Sequence, residues 1–138
     1  MKNNLDKQIK MNFQELDKII KKLRSSEGCD WDKSQTSDSL LPYFIEEVYE
    51  LIDSIDKKDY KNTKEELGDV MLHLIFQSQI AAEKEIFTIN DVVESINKKL
   101  INRHPHVFYH IAQPNSGTPN KNWEAQKQLE KDRDSRLD

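Results

Sequence analysis

The sequence predicts an all-α domain, and three observations carry that expectation. Glycine and proline are scarce, three and four among 138 residues, whereas a sandwich or barrel needs turn residues about every ten positions. Charged residues make up 33% of the chain and hydrophobic ones 36%, a mixture suited to long amphipathic helices. Apolar residues recur at three- and four-residue spacing through most of the chain instead of alternating. At this length one domain with a lean core is expected, so assembly with a second copy is part of the reading from the start.

The first helical stripe is Phe13, Leu16, Ile19, Ile20 and Leu23, and the polar residues 1–12 before it read as frayed. SSEGCDWDKSQTSDS reads as a loop from its Gly, Ser and Asp content. A helix from about Leu40 to Lys57 carries Leu41, Phe44, Ile45, Val48, Leu51, Ile52 and Ile55, close to a coiled-coil seam. Leu40, Tyr43 and Tyr49 widen that stripe, which predicts burial on two sides. After the charged break KKDYKNT, a helix from about Lys64 to Lys84 has Leu67, Val70, Met71, Leu74, Ile75, Ser78 and Ala81 as its expected inner face. Thr88 and Asp91 resemble a capping box opening a helix with Val92, Val93, Ile96, Leu100 and Ile101, which Pro105 should close. The domain core therefore runs over about 13–110, residues 111–120 read as a linker, and 121–138 form a tail. The tail is helical in propensity but polar nearly all round apart from Trp123 and Leu129, so it is loose or docks through Trp123.

Composition excludes several function classes. A net charge of −4 and a pI near 5.6 argue against a nucleic-acid partner, which needs a basic face. The single cysteine, Cys29, rules out an internal disulfide and any multi-cysteine zinc site. MKNNLDKQIK lacks the apolar run of a signal peptide, and no stretch approaches about 18 apolar residues. A soluble cytoplasmic protein without a membrane partner is expected. There is no GxxxxGK[ST] phosphate loop, and no glutamate has a histidine three residues later, as a di-iron bundle requires. His73 reads as a satisfied polar side chain, and His104 and His106 as structural or C-cap residues.

Two acidic pairs stand out. At 3.6 residues per turn Glu47 and Glu50 lie about 60° apart, as do Glu66 and Asp69. Each pair borders an apolar stripe, so antiparallel packing of the two helices would bring four carboxylates to one rim. Clustered oxygens suit Mg²⁺ or Mn²⁺, while the bland alternative is a solvated acidic face. Gly68, between the members of the second pair, costs about 1 kcal/mol relative to alanine, and its expected return is close approach of another backbone. Lys99 and Arg103, at i and i+4, suit neighbouring phosphate oxygens. Trp123 and Lys127 repeat that spacing in the tail, where a tryptophan could stack on a base or anchor the tail. Carboxylates for a cation, cations for phosphates and an aromatic for a base are what a nucleotide-hydrolysing site requires.

EEVYELIDSID followed by EELGDVMLHLIF resembles the MazG nucleoside triphosphate pyrophosphohydrolases, whose hallmark is EExxE, a spacer, then ExxD; fifteen residues separate Glu50 from Glu66 here. LRSSEGCDWDKSQT resembles the family's LRDPxxGCPWDxxQT, with Asp30 where proline is usual. KKLINRHPHVF resembles KLxRRHPHVF, and NWEAQK resembles WExxK, so the likeness covers about residues 13–130. The HPHVF form is similar to the first repeat of two-domain members. The resemblance implies an all-α NTP pyrophosphatase fold in which two subunits complete a helical bundle, as a homodimer or higher homo-oligomer. It implies Mg²⁺-dependent hydrolysis of a nucleoside triphosphate to monophosphate and pyrophosphate, with Mn²⁺ as a substitute ion. By the same likeness Glu47, Glu50, Glu66 and Asp69 are metal ligands, and Glu46 orients or deprotonates the attacking water. Lys99 and Arg103 bind phosphates, Trp123 and Lys127 contact base and phosphate, and base selection rests on positions such as Trp31 and Trp123. Broad nucleotide-pool clearing, a dedicated nucleotide such as phosphoribosyl-ATP or a pyrimidine deoxynucleotide, and a nucleotide-binding dimer with little turnover stay open at this stage.

Overall fold

The computed structural model describes residues 1–108 and 123–137. These form α1 (Lys2–Leu23), α2 (Asp30–Ser34), α3 (Leu41–Asp56), α4 (Tyr60–Glu83), α5 (Ile89–Arg103), α6 (Pro105–Phe108) and α7 (Trp123–Leu137), with no strand among the described residues. The expected linker, 111–120, lies outside them. The chain divides into two compact units, Met1–Ile89 and Asn90–Asp138.

In the first unit α3 and α4 form an antiparallel hairpin. Near its turn the Thr63 hydroxyl donates to Ser54 Oγ at 3.1 Å; towards its open end the Phe44 and His73 rings lie 5.6 Å apart. Helical register places Phe44, Glu47, Leu51 and Ser54 along the α3 side of this seam, and Thr63, Glu66, Val70, His73 and Gln77 along the α4 side. The broad apolar stripe expected on α3 is thereby divided. Phe44 and Leu51 are partly buried, whereas Leu41, Ile45, Ile52 and Ile55 are exposed. The inner face expected for α4 needs correction in the same sense. Leu67, Met71 and Leu74 are exposed, while Phe76 and Ile80, outside the expected set, are buried with Ile75, Ser78 and Ala81. The reason is α1, which packs against α4: Ile20, Leu40, Ile75, Phe76 and Ile80 form the core, with Leu16 and Ile89 against it.

The exposed apolar residues of α3 and α4 both sit roughly 100° round their helices from the seam, in the same rotational sense. In an antiparallel pair that puts them on one side of the hairpin. Glu50 on α3 and Asp69 on α4 are displaced in the other sense, so the acidic pairs occupy the opposite side.

Several boundaries differ from expectation. α1 begins at Lys2 instead of near Phe13, because Leu5 and Ile9 continue the i, i+4 series of Phe13 towards the N-terminus. α4 begins four residues early at Tyr60, where the Asp59 side chain caps the helix by accepting from the Asn62 N–H at 3.3 Å. Two helices end on residues in the left-handed region that are not glycine, Lys58 (φ 55°) and Glu85 (φ 57°). After α3, Lys58 N–H donates to the Ile55 carbonyl and Asp59 N–H to that of Ser54, both at 3.0 Å. After α4, Glu85 and Ile86 N–H groups repeat the pattern on Ala82 and Ala81, again at 3.0 Å, so the last carbonyls are satisfied.

Gly68 also departs from expectation: a Cβ there would meet nothing within 4 Å. It lies on the outer surface of α4, away from the seam, and no backbone among the described residues approaches it. Gly68→Ala should therefore stabilise the protein by about 1 kcal/mol. A thermal melt that shows no rise would mean this surface is covered by something else.

In the second unit α5 ends at Arg103 and Pro105 opens α6, where its missing N–H is harmless. His104 Nδ1 lies 2.7 Å from the Leu100 carbonyl in the last turn of α5, as expected of a capping histidine. Arg103 is buried; its Nε donates to Glu130 at 2.9 Å and its NH2 pairs with the same carboxylate at 2.9 Å, tying α7 to the end of α5.

Candidate active site

Glu47, Glu66 and Asp69 each offer a carboxylate oxygen within 4.8 Å of the others. Glu50 stands against both Glu47 and Glu66. The hairpin thus brings together the four carboxylates that the two acidic runs mark. Burial, then the negative charges of Glu50 and Asp69, push the Glu47 carboxyl up to about 7. Burial and Glu50 likewise raise that of Glu66. One oxygen of each, Oε2, is buried without a hydrogen-bond partner among the described residues. Orphaned acceptors amid like charges cost stability, and a cation removes both penalties at once. The donor set is oxygen only, which suits hard divalent ions. The cluster could hold a metal ion.

Glu46 is exposed and lies roughly 100° round α3 from Glu47, outside the cluster. His73, one turn beyond Asp69, is held below the usual histidine range by burial, against the opposing pull of Asp69. Its Nδ1 is buried without a partner among the described residues, so it is not the satisfied side chain expected of it; its ring instead packs on Phe44.

Trp31 comes from a segment expected to be loop. Residues Asp30–Ser34 instead form α2. The chain reaches it through Gly28, where any Cβ would fall onto the carbonyls of Lys22 and Leu23, and through Cys29, whose N–H donates to Leu23 at 2.9 Å. Asp30, where the resembled pattern has proline, opens the helix and pairs with Lys33 at 3.0 Å. An acid and a proline both suit a first helical turn, so the departure is structurally neutral. Trp31 is half-exposed and meets Tyr43 edge to face, with centroids 5.7 Å apart. Tyr43 lies one turn before Glu47, so the aromatic pair stands beside the carboxylates. Tyr43, expected to widen the buried stripe of α3, is exposed instead. Arg24 stands in the run LRSSEGCDWDKSQT, and its type and spacing alone mark no role for it.

Lys99 is exposed on α5, and Lys127 is partly buried on α7. Arg103 is engaged by Glu130, as described. Trp123 opens α7, and its side chain lies outside the described residues. These four belong to the second unit, and the carboxylates and Trp31 to the first.

A helical hairpin with a cluster of carboxylates across its seam places the chain among all-α carboxylate-cluster domains. Residues 35–108 match the MazG nucleotide pyrophosphohydrolase domain, and the chain belongs to that family. It is 54% identical over 119 residues to the nucleoside triphosphate pyrophosphohydrolase/pyrophosphatase MazG of Thermotoga maritima, covering 86% of this chain and 45% of that protein. It is 41% identical over 107 residues to a nucleoside triphosphate pyrophosphohydrolase of Escherichia coli, covering 77% and 41%. A third relative, the nucleoside triphosphate pyrophosphohydrolase of Mycobacterium tuberculosis, is 39% identical over 112 residues, covering 78% and 34%. The chain spans less than half the length of each of these. Among the described residues no helix is long and apolar enough to cross a membrane.

Proposed function

We propose that this domain hydrolyses nucleoside triphosphates to nucleoside monophosphate and pyrophosphate with Mg²⁺, as a homodimer acting on the cytoplasmic nucleotide pool. The observation that carries the reading is the pair of orphaned oxygens on Glu47 and Glu66 beside Asp69 and Glu50. Glu47, Glu50, Glu66 and Asp69 hold the ion, with Mn²⁺ as a substitute. When bound, it supplies positive charge against the phosphate oxygens and makes an attacking water easier to deprotonate. Glu46, exposed on α3 outside the cluster, is the carboxylate left to orient that water or take its proton. Trp31 and Tyr43 form an aromatic wall for the base, and by the family resemblance Trp123 and Lys127 contact base and phosphate. By the same resemblance Lys99 and Arg103 bind the phosphates. The exposed apolar side of the hairpin supports pairing with a second copy.

Product analysis on a panel of NTPs and dNTPs, with and without Mg²⁺, tests this directly. Monophosphate plus pyrophosphate is expected; diphosphate plus phosphate would overturn it. Lys99→Ala removes a charge-assisted contact worth about 1.5–3 kcal/mol, so kcat/KM should fall about ten- to a hundredfold. Unchanged kinetics would mean that Lys99 faces only solvent.

A further inference from the structure

We propose that Arg24 is a positioning residue of the nucleotide site, holding α2 so that Trp31 stands against Tyr43 beside the carboxylates; this rests on the function proposed above. Arg24 ends α1, and its side chain is only 10% exposed. Its Nε donates to both oxygens of Glu83 on α4, at 2.8 and 3.2 Å. Its NH1 donates to the carbonyls of Asp32 and Gln35, at 2.6 and 3.1 Å. Its guanidinium also lies over the Phe76 ring, 5.2 Å from the centroid. One planar group therefore joins the end of α1, the C-terminal carbonyls of α2 and the face of α4.

α2 needs such a tie. It has five residues, none of them buried, and a helix that short does not hold itself together. The Asp32 carbonyl accepts a long bond from the Gln35 N–H, at 3.4 Å; Arg24 adds a much shorter one and also reaches the Gln35 carbonyl just past the helix end. Further along, the Ser37 hydroxyl donates to Gln77 Oε1, and Gln77 Nε2 donates to the Ser37 carbonyl at 3.0 Å. That second tie fixes where the chain leaves the loop; the attitude of α2 rests on Arg24, helped by a longer contact from Lys33 Nζ to the Ser26 carbonyl at 3.4 Å. Trp31 immediately precedes Asp32, whose carbonyl Arg24 grips most closely. A rotation of α2 would carry Trp31 off Tyr43 while leaving the α3–α4 carboxylates in place. Arg24 therefore acts on the nucleoside end of the substrate, through Trp31, and leaves the triphosphate end untouched. Lysine cannot substitute, because a single ammonium cannot donate to Glu83 and two carbonyls while also lying over a ring.

The test is steady-state kinetics of wild type, Arg24→Lys, Glu83→Gln, Trp31→Ala and the Arg24→Lys/Trp31→Ala double variant, with inorganic tripolyphosphate as a competitive inhibitor lacking a nucleoside. Arg24→Lys and Trp31→Ala should each raise KM for nucleoside triphosphate about fivefold or more, the loss of one stacking contact, with kcat changed less than twofold. Glu83→Gln should raise it by a smaller factor in the same direction. Tripolyphosphate should inhibit all of them equally, and the double variant should be no worse than Trp31→Ala alone. Weakened tripolyphosphate inhibition, a fall in kcat matching the rise in KM, or additive effects in the double variant would each show general damage and overturn the proposal. A working wild type whose Trp31→Ala and Arg24→Lys forms keep their KM overturns it too, leaving the activity standing. A wild type that releases no pyrophosphate overturns both.

Discussion

Glu66→Gln should give a folded protein whose turnover has dropped about a hundredfold or more, while its stability without divalent ion rises. The amide keeps the shape of the side chain and removes one of the charges that crowd Glu47. The pH dependence provides a second readout. The Glu47 carboxyl is raised from 4.5 to about 7 in the folded chain, and Glu66 moves in the same direction. Between those pH values the folded state binds more protons than the unfolded state, so stability falls as pH rises. The contribution is fully present below about pH 4.5 and is lost as pH passes about 7. In a chelator, the melting temperature of the wild type should therefore decline across this window. Saturating Mg²⁺ should flatten or reverse the trend, because the ion favours the ionised carboxylates. Glu66→Gln should show a shallower decline in chelator. Normal turnover in this variant, or a chelated wild type that gains stability with rising pH, would refute the assignment of the cluster.

Ile45→Glu combined with Ile52→Glu should turn a dimer into monomers at micromolar concentration. Both residues lie on the apolar side of the hairpin with Leu41, Ile55, Leu67, Met71 and Leu74, all exposed in the single chain. A second copy seated there would bury two new carboxylates from each protomer, and an unpaired buried charge costs several kcal/mol. Light scattering would give the mass, and melts over a range of protein concentration would show whether stability depends on association. The acidic cluster lies on the other side, so ion binding by the monomeric variant should persist. A wild type that is monomeric at every concentration, or a double variant that remains a dimer, would assign this face to something else.

The periodic parts of the molecule were the legible ones. The stripe from Leu41 to Ile55 announced a helix, and the spacing of Glu47, Glu50, Glu66 and Asp69 announced a rim of carboxylates. Both readings rest on helical geometry, which a single chain displays directly. Helix ends were less legible because the usual marker is missing: Lys58 and Glu85 take the left-handed conformation that glycine ordinarily signals. α2 was hidden by its composition, since Ser, Asp and Gly suit a loop equally well and its support comes from Arg24, a residue outside it. Which side of α4 is buried depends on α1 lying against Phe76 and Ile80. Periodicity shows that a helix has apolar residues on two sides, but not which side finds a partner.

The carboxylates and the exposed apolar residues occupy opposite sides of the same two helices, so the hairpin works as a partition with a separate task on either side. Another copy can cover one side without obstructing the approach of a ligand to the other. The seam between them, where Leu51 and Val70 are partly buried, is common to both tasks. A change on either outer side should be felt on that side alone. A change of volume at Leu51 or Val70 would tilt one helix on the other, disturbing in one stroke the spacing of the acidic oxygens and the flatness of the apolar wall.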